Sequence, residues 1–443
     1  MTGIIQMKDR LLEMFFDKQR WESAIQRGIV KDIDKGILSR LCEEDKLVDG
    51  RLIPSPRTIL LEMIRSGKYN ITPPHTAKIP KDNGEFRTVY ANEGADRVIL
   101  AIINDLLFET CSDMVHASCK SYLKGIGCGM VVQELSKRIS RIKVDNSKPI
   151  GWKADFTKYF DRVPIEYIDK AFDEVERRMG KSALIDVLRR YYHCDWYYDT
   201  EAKEYVCKYQ SLKQGCAVAS FLANVIMYPL DEYISHLDVV YYRYCDDTIC
   251  FGKDAEKGFK FMENLMQEMS TEDLDMRLNE KKVEDIYADK WFKFIGFSIC
   301  GDQISLSSTR IKTFQKTIEE LTIKSGKPTD DVIQDVMRYL YVGDGEHSWA
   351  TQVLPIINNE HDIDELNKFA MDAIRASITG KRKIGGLGYD PRNAERCVYR
   401  GTGKNVTANR KKTGSKIKGY QSLRTMQHAL KYNKQLYTAL INQ

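Results

Sequence analysis

Apolar residues recur at three- and four-residue spacing through roughly the first 70 positions, in stretches such as MKDRLLEMFF, DIDKGILSRLCEEDKL and PSPRTILLEMIRSG, and this spacing predicts helices. The period then shortens. TPPHTAKIPKDNGEFRTVYA reads as two short strands around an Asp82-Asn83-Gly84 turn, and DRVILAIINDLLFE as a helix. KPIGWKADFTKYFDRVP reads as a buried strand running into a turn, and a long helical stretch is expected from about Ile165 to Tyr192. A hairpin-like segment, WYYDTEAKEYVCKYQSL, precedes the turn KQG and a mostly apolar helix, ASFLANVIMYPLDEYI. Two β-rich runs then flank Cys245-Asp246-Asp247, followed by an amphipathic helix in GFKFMENLMQEMSTEDL. MRLNEKKVEDIY and WFKFIGFSICGDQISL read as strands, and helical sequence continues to about Ser377. There is no internal repeat. The order of elements fits a mixed α/β sheet and not an alternating Rossmann arrangement.

Composition narrows the class. At 443 residues the chain is long enough for several structural units. No apolar run reaches the ~18 residues of a membrane span, and the N-terminus lacks the order of a signal peptide, so no membrane and a cytoplasmic location are expected. The 11 cysteines are scattered without CxxC spacing, and the 7 histidines supply no zinc pattern, which favours free thiols. The net charge of +5 is unevenly placed: residues 380–443 carry a net +13 and the remainder a net −8. A basic tail on an acidic body suggests a polyanionic partner, although a solvated, flexible run reads the same way.

The candidate chemistry lies in Tyr241-Tyr242-Arg243-Tyr244-Cys245-Asp246-Asp247-Thr248-Ile249-Cys250-Phe251-Gly252. Adjacent side chains on a strand point to opposite faces, so two acids serving one metal site fit a turn better than a mid-strand position. Alone, the pair is also an ordinary polar hairpin turn. With the rest of the chain it resembles the YxDD signature of reverse transcriptases, and further motifs of that family occur in order. Lys153-Ala154-Asp155 through Phe160-Asp161 resembles the first carboxylate motif. The resemblance implies metal binding at Asp155, Phe156, Asp246 and Asp247, and a sugar-facing aromatic at Phe160 that blocks a ribose 2′-hydroxyl. Gln214-Gly215, with Leu222 and Asn224, resembles the segment that touches the incoming nucleotide and the template. Leu278 to Lys282 resembles the segment whose lysine protonates the leaving pyrophosphate, a role falling on Lys282. Phe294-Ile295-Gly296-Phe297 resembles the primer grip, with Phe294 and Gly296 at its turn. Ile79-Pro80-Lys81 with Gly84 and Arg87, then Asp96-Arg97, resembles the fingers motif in which Lys81 and Arg87 clamp the triphosphate. Seven ordered elements over about residues 76–300 are far more specific than any one.

The resemblance implies an α+β, right-hand polymerase fold. The expected divisions are a helical N-terminal extension at 1–75, fingers and palm at 76–300, a helical thumb at 301–379, and a basic C-terminal RNA-binding region at 380–443. The activity implied is RNA-directed DNA synthesis by two-metal nucleotidyl transfer, with two Mg2+ ions, dNTP substrates, an RNA template and a cDNA product. Ala219-Ser220 stands where the family usually has Ser-Pro, which bears on template positioning. A stand-alone enzyme of this make-up is most similar to the bacterial defence-associated (unknown-group) reverse transcriptases, and within them to the class 2 type that copies an associated non-coding RNA. Retron-like and group II intron-derived enzymes, an RNA-dependent RNA polymerase and an RNA-binding scaffold are the competing readings. In the tail, Arg410, Lys411, Lys412, Lys416 and Lys418 are expected to hold RNA, and Tyr420, Tyr432 and Tyr437 either stack on bases or pack a final helix.

Overall fold

The computed structural model describes residues 9–26, 32–80, 85–142, 148–344, 347–379, 387–389, 397–399 and 417–441. Lys81 and Gly84, and in the tail Arg410, Lys411, Lys412 and Lys416, lie outside the described residues. The chain divides into two compact units, each built from two stretches: residues 1–122 with 152–284, and 123–151 with 285–443. This grouping cuts across the linear divisions expected from sequence, since 123–151 and 285–300 fall with the later helices.

The first unit opens on the helices Arg10–Phe15, Lys18–Gln26 and Asp32–Leu41, which bury Phe15, Trp21 and Leu38. Asp9 caps the first of them through Leu12 N (3.0 Å) and also accepts from Ala183 N at 2.8 Å. The N-terminal stretch is not wholly helical, which corrects the expectation. Strands β1 (Lys46–Val48) and β2 (Arg51–Ile53) form a hairpin before the helix Pro56–Arg65. Its turn residues Asp49 and Gly50 both have positive φ (48° and 74°), the conformation for which Asp-Gly is favoured. That signal was present in the sequence.

Strands β3 (His75–Pro80), β4 (Phe86–Ala91), β5 (Gly151–Asp155), β6 (Trp196–Asp199), β7 (Glu204–Cys207), β8 (Val239–Tyr244), β9 (Asp247–Gly252) and β10 (Glu284–Ile286) follow in chain order. They make two four-stranded sheets, ordered β4-β3-β6-β7 and β10-β5-β9-β8. The helix Gly94–Thr110 buries Val98, Ile102, Ile103, Leu106 and Leu107 in the core of this unit. The stretch expected as one helix from Ile165 to Tyr192 is two, Ile165–Met179 and Ala183–Tyr192, parted at Gly180 with φ 88°. Likewise the apolar helix after the KQG turn is broken into Ala219–Val225 and Tyr228–Ser235, the second carrying Pro229 in its first turn. A proline there loses no helical hydrogen bond and starts a new helix.

In the second unit, β11 (Phe292–Phe294), β12 (Phe297–Cys300) and β13 (Gln303–Leu306) form an antiparallel sheet. The helices Cys128–Ile139, Ser308–Leu321, Thr329–Met337, Trp349–Val353, Glu360–Thr379, Leu423–Tyr432 and Lys434–Ile441 belong to the same unit. Two tail tyrosines are packing residues: Tyr420 and Tyr437 are buried, Tyr420 donating to Asn367 (3.0 Å) and Tyr437 to the Tyr341 carbonyl (2.9 Å). Tyr432 is exposed, as is Lys418. Among the described residues no helix is long and apolar enough to cross a membrane.

Candidate active site

β8 and β9 are aromatic and β-branched, so they pair as a hairpin whose last register pair is Tyr244↔Asp247. Cys245 and Asp246 form its two-residue turn, and Cys245 has φ 60°, a left-handed conformation that non-glycine residues seldom adopt. β9 lies beside β5, which ends at Asp155. The Phe156 amide donates to the Asp246 carbonyl at 3.3 Å, and the Thr248 hydroxyl to the Ala154 carbonyl at 3.0 Å. These bonds hold the end of β5 against the hairpin turn. The chain thereby brings Asp155 to Asp246 and Asp247, which lie more than 90 positions further along.

Lys282 joins them. Its Nζ donates to Asp155 Oδ2 at 2.6 Å, while Asn279 backs the same residue through its amide to the Asp155 carbonyl (2.7 Å) and its side chain to Oδ1 (3.4 Å). Burial lowers the Lys282 pKa, but the hydrogen bond to Asp155 and the charges of Asp155, Asp247 and Asp246 outweigh it and raise the value overall. The acids show the converse. Burial, followed by the charge of Asp155, raises Asp246. Burial, then Asp246 and Asp155, raises Asp247 to about 7, against the opposing pull of Lys282 and Lys153. Lys282 is bonded to Asp155 and Lys153 is already paired with Glu284, so the three carboxylates are short of positive charge.

The deficit and the all-oxygen donor set fit a hard divalent cation. Among the described residues no three His, Cys, Asp or Glu side chains already stand as a metal cage. The Asp155 carboxylate is instead turned onto Lys282, which a bound cation would displace from it. Phe156 contributes no side chain to this cluster, since its ring is in the core.

The remaining expected residues divide. Phe160 is half-buried, edge-on to Tyr159 with ring centroids 5.7 Å apart, and its carbonyl accepts from Leu212 N at 3.1 Å. Gln214 and Gly215 sit against β4: the Tyr90 amide donates to the Gln214 carbonyl at 2.6 Å, and Gly215 has φ 110°. A Cβ at Gly215 would stand 2.9 Å from the Tyr90 carbonyl, so the turn admits glycine alone. Arg87, on β4, is exposed, and its charge reaches Asp161. Burial raises the Asp161 pKa against the combined pull of Lys158, Arg162, Arg87 and Lys208. Lys158 and Lys208, which the motifs do not single out, thus join Arg87 and Arg162 in acting on Asp161. Phe294 and Gly296 lie in the second unit, where Ile295 (φ 39°) and Gly296 (φ 85°) make the tight β11–β12 turn and Arg310 lies 4.5 Å from the Phe297 ring centroid.

Three motif residues do not face a ligand. Asp96 is buried and accepts from Tyr69 and from Thr72 N (2.8 Å), fixing the chain ahead of β3. Leu222 and Asn224 are fully buried, and the Asn224 amide is spent on Ser121. The expectation that they touch nucleotide and template is corrected: Leu222 is core, and Asn224 is part of the support behind the turn.

Over this geometry, residues 79–299 match the family described as reverse transcriptase (RNA-dependent DNA polymerase). Residues 79–299 are a reverse transcriptase domain. The domain is that of an RNA-directed DNA polymerase, a nucleotidyltransferase, and its fold is the mixed helix-and-sheet polymerase fold. No curated protein matches the chain. Among solved structures the chain is similar to an apo telomerase from Candida tropicalis truncated from its C-terminal domain, at 15% identity, covering 60% of this chain and 63% of that one, with a TM-score of 0.36. It is also similar to the Sicinivirus 3Dpol RNA-dependent RNA polymerase, at 12% identity, covering 75% and 69%, with a TM-score of 0.45. A third is the C. tropicalis telomerase in complex with a fragment of telomeric RNA, at 14% identity, covering 76% and 60%, with a TM-score of 0.41. The chain thus spans under two thirds of the length of the truncated telomerase.

Proposed function

We propose that the chain is an RNA-directed DNA polymerase that extends a primer on an RNA template using dNTPs and two Mg2+ ions. The observation that supports this best is the cluster of Asp155, Asp246, Asp247 and Lys282, in which oxygen ligands outnumber the single ammonium. In the reaction the primer 3′-oxygen bonds to the α-phosphorus, the bond to the bridging oxygen breaks, pyrophosphate leaves and the hydroxyl proton passes to solvent. Mg2+ held there would supply neutralisation of the charge on the attacking and leaving oxygens. The chain's own part is to hold and orient. Asp155, Asp246 and Asp247, with the Phe156 carbonyl, hold the cations, and Lys282, kept protonated by its acidic neighbours, supplies a proton to the leaving pyrophosphate. Arg87 and Lys81 bind the triphosphate, Gln214 and Gly215 present backbone to the nucleotide, and Phe160 walls off the 2′ position. Phe294 and Gly296 form the primer grip.

The finer reading is that the enzyme is cytoplasmic, of the bacterial defence-associated type, and copies one structured non-coding RNA in antiphage defence. Its support is the motif set and the net +13 of residues 380–443. The divisions at 1–75, 76–300, 301–379 and 380–443 belong to the same reading. The test is incorporation on a primed RNA template with Mg2+, comparing dNTPs with rNTPs, together with sequencing of the nucleic acid that co-purifies. Efficient dNTP use and one enriched RNA or its cDNA are expected. Preference for rNTPs makes the chain an RNA polymerase, and no incorporation of either makes it a scaffold.

A further inference from the structure

Arginine and aspartate are seldom buried, and burying both is costly unless every donor and acceptor is used. Arg243 and Asp231 are nonetheless entirely buried, joined by Nε to Oδ1 (2.8 Å) and Nη2 to Oδ2 (2.6 Å). Arg243 donates three further hydrogen bonds to backbone: Nη2 to the Asn224 carbonyl (2.8 Å), Nη1 to the Ala223 carbonyl (3.3 Å), and Nη1 to the Cys245 carbonyl (3.2 Å). From the other side the Cys245 amide donates to the Ser121 hydroxyl at 2.9 Å. That hydroxyl donates in turn to Asn224 Oδ1 (2.8 Å), while Asn224 Nδ2 donates to the Ser121 carbonyl (2.8 Å). The segment carrying Ser121 runs parallel to β8, with Arg243 N bonded to Ser118 O and Lys120 N to Arg243 O.

The sheet ladder ends at Tyr244↔Asp247, so it does not itself fix the turn. Cys245 carries the rare left-handed φ there. Its amide and its carbonyl belong to the two peptide planes on either side of its Cα, and each is held by a different buried side chain. Pinning both planes sets the torsions of Cys245, and with them the direction in which Asp246 leaves the turn.

We propose that Arg243, Asp231, Asn224 and Ser121 are positioning residues for the turn, holding the Cys245 backbone so that Asp246 and Asp247 can share cations with Asp155. The inference rests on the reading of the three aspartates as metal ligands. A buried ion pair often contributes little net stability compared with apolar packing of the same shape, and the role proposed for this one is to fix the geometry at Cys245.

The test uses the full chain with Ser121→Ala, which deletes one hydroxyl, and Arg243→Lys, which keeps a cation beside Asp231 but loses the fork that reaches Cys245. Tyr241→Phe serves as the structural control, because Tyr241 bonds Asp231 (3.0 Å) and not the turn. Mn2+ binding is measured by titration calorimetry, and kcat and dNTP KM by primer extension. Ser121→Ala and Arg243→Lys are expected to weaken Mn2+ binding at least about 5-fold and to lower kcat at least about 10-fold, with dNTP KM changed less than about 3-fold. Tyr241→Phe is expected to keep both values. Wild-type Mn2+ affinity in folded Ser121→Ala or Arg243→Lys overturns the proposal. So do losses that track the folded fraction, equal losses in Tyr241→Phe, or failure of both variants to fold. Asp246→Ala is run alongside: if it polymerises normally, the metal-ligand reading fails, whereas if only it is inactive, the positioning inference alone fails.

Discussion

At the scale of single residues, the protonation of Asp247 links the site to stability. Its folded-state pKa is raised to about 7 by burial and by its acidic neighbours, while in the unfolded chain it titrates near the usual ~3.9. The folded state therefore holds a proton that the unfolded state has lost. The stabilisation is fully present below about pH 4 and is gone once pH has risen through about 7. Metal-free Asp247→Asn should then melt higher than the wild type at pH 8, by roughly 2–4 °C per kcal/mol relieved, and the two should converge towards pH 4. Melts that differ equally at both pH values would refute this. Phe160 gives a second test. Its half-buried ring packs edge-on against Tyr159; if Phe160 is the proposed sugar gate, Phe160→Val should open the 2′ side and raise rNTP use relative to dNTP at least about 10-fold. The cavity should cost about 1–3 kcal/mol of stability. An unchanged rNTP/dNTP ratio in a folded variant would assign the ring to packing alone.

At the scale of elements, the turn before the helix Ala219–Val225 depends on one glycine. Gly215 combines φ 110° with a backbone approach to Tyr90 that leaves no room for a Cβ. Gly215→Ala should destabilise the protein by about 1–3 kcal/mol and raise dNTP KM more than it lowers primer–template affinity, because Gln214 moves with it. An unaffected KM would show that this turn does not meet the nucleotide. The same element illustrates what was legible in the sequence. Alternation and turn chemistry placed the Asp246–Asp247 hairpin and the Gln214-Gly215 turn, because both signals are local. Asn224, Ser121 and Arg243 were hidden. Asn and Arg usually lie on the surface, and nothing local shows that they meet behind Cys245 across about 100 residues. The breaks at Gly180 and Pro229 and the Asp49-Gly50 hairpin carried ordinary signals that the strong helical spacing around them masked.

At the scale of the whole molecule, the two signs of charge are kept apart in sequence, with the aspartates in the first unit and the basic run at the C-terminal end. Tyr420 and Tyr437, which pattern alone left open between stacking and packing, are buried, whereas Tyr432 is exposed, so on the proposed reading the phosphate contacts fall on the cations of this region and stacking is left to Tyr432. Neutralising Arg410, Lys411, Lys412, Lys416 and Lys418 together should weaken RNA binding and flatten its salt dependence by about one unit of slope for each phosphate that is no longer neutralised. Extension of a short, saturating primer–template should change little. Wild-type affinity and slope would make the run a solvated tail. The proposed chemistry rests on the carboxylates, and its most direct measurement is the single-turnover rate of primer extension on RNA by Asp246→Ala/Asp247→Ala in saturating Mg2+. A loss of at least about 1,000-fold is expected, in a protein that still binds primer–template and melts no lower than the wild type. A rate within a few-fold of wild type would contradict it.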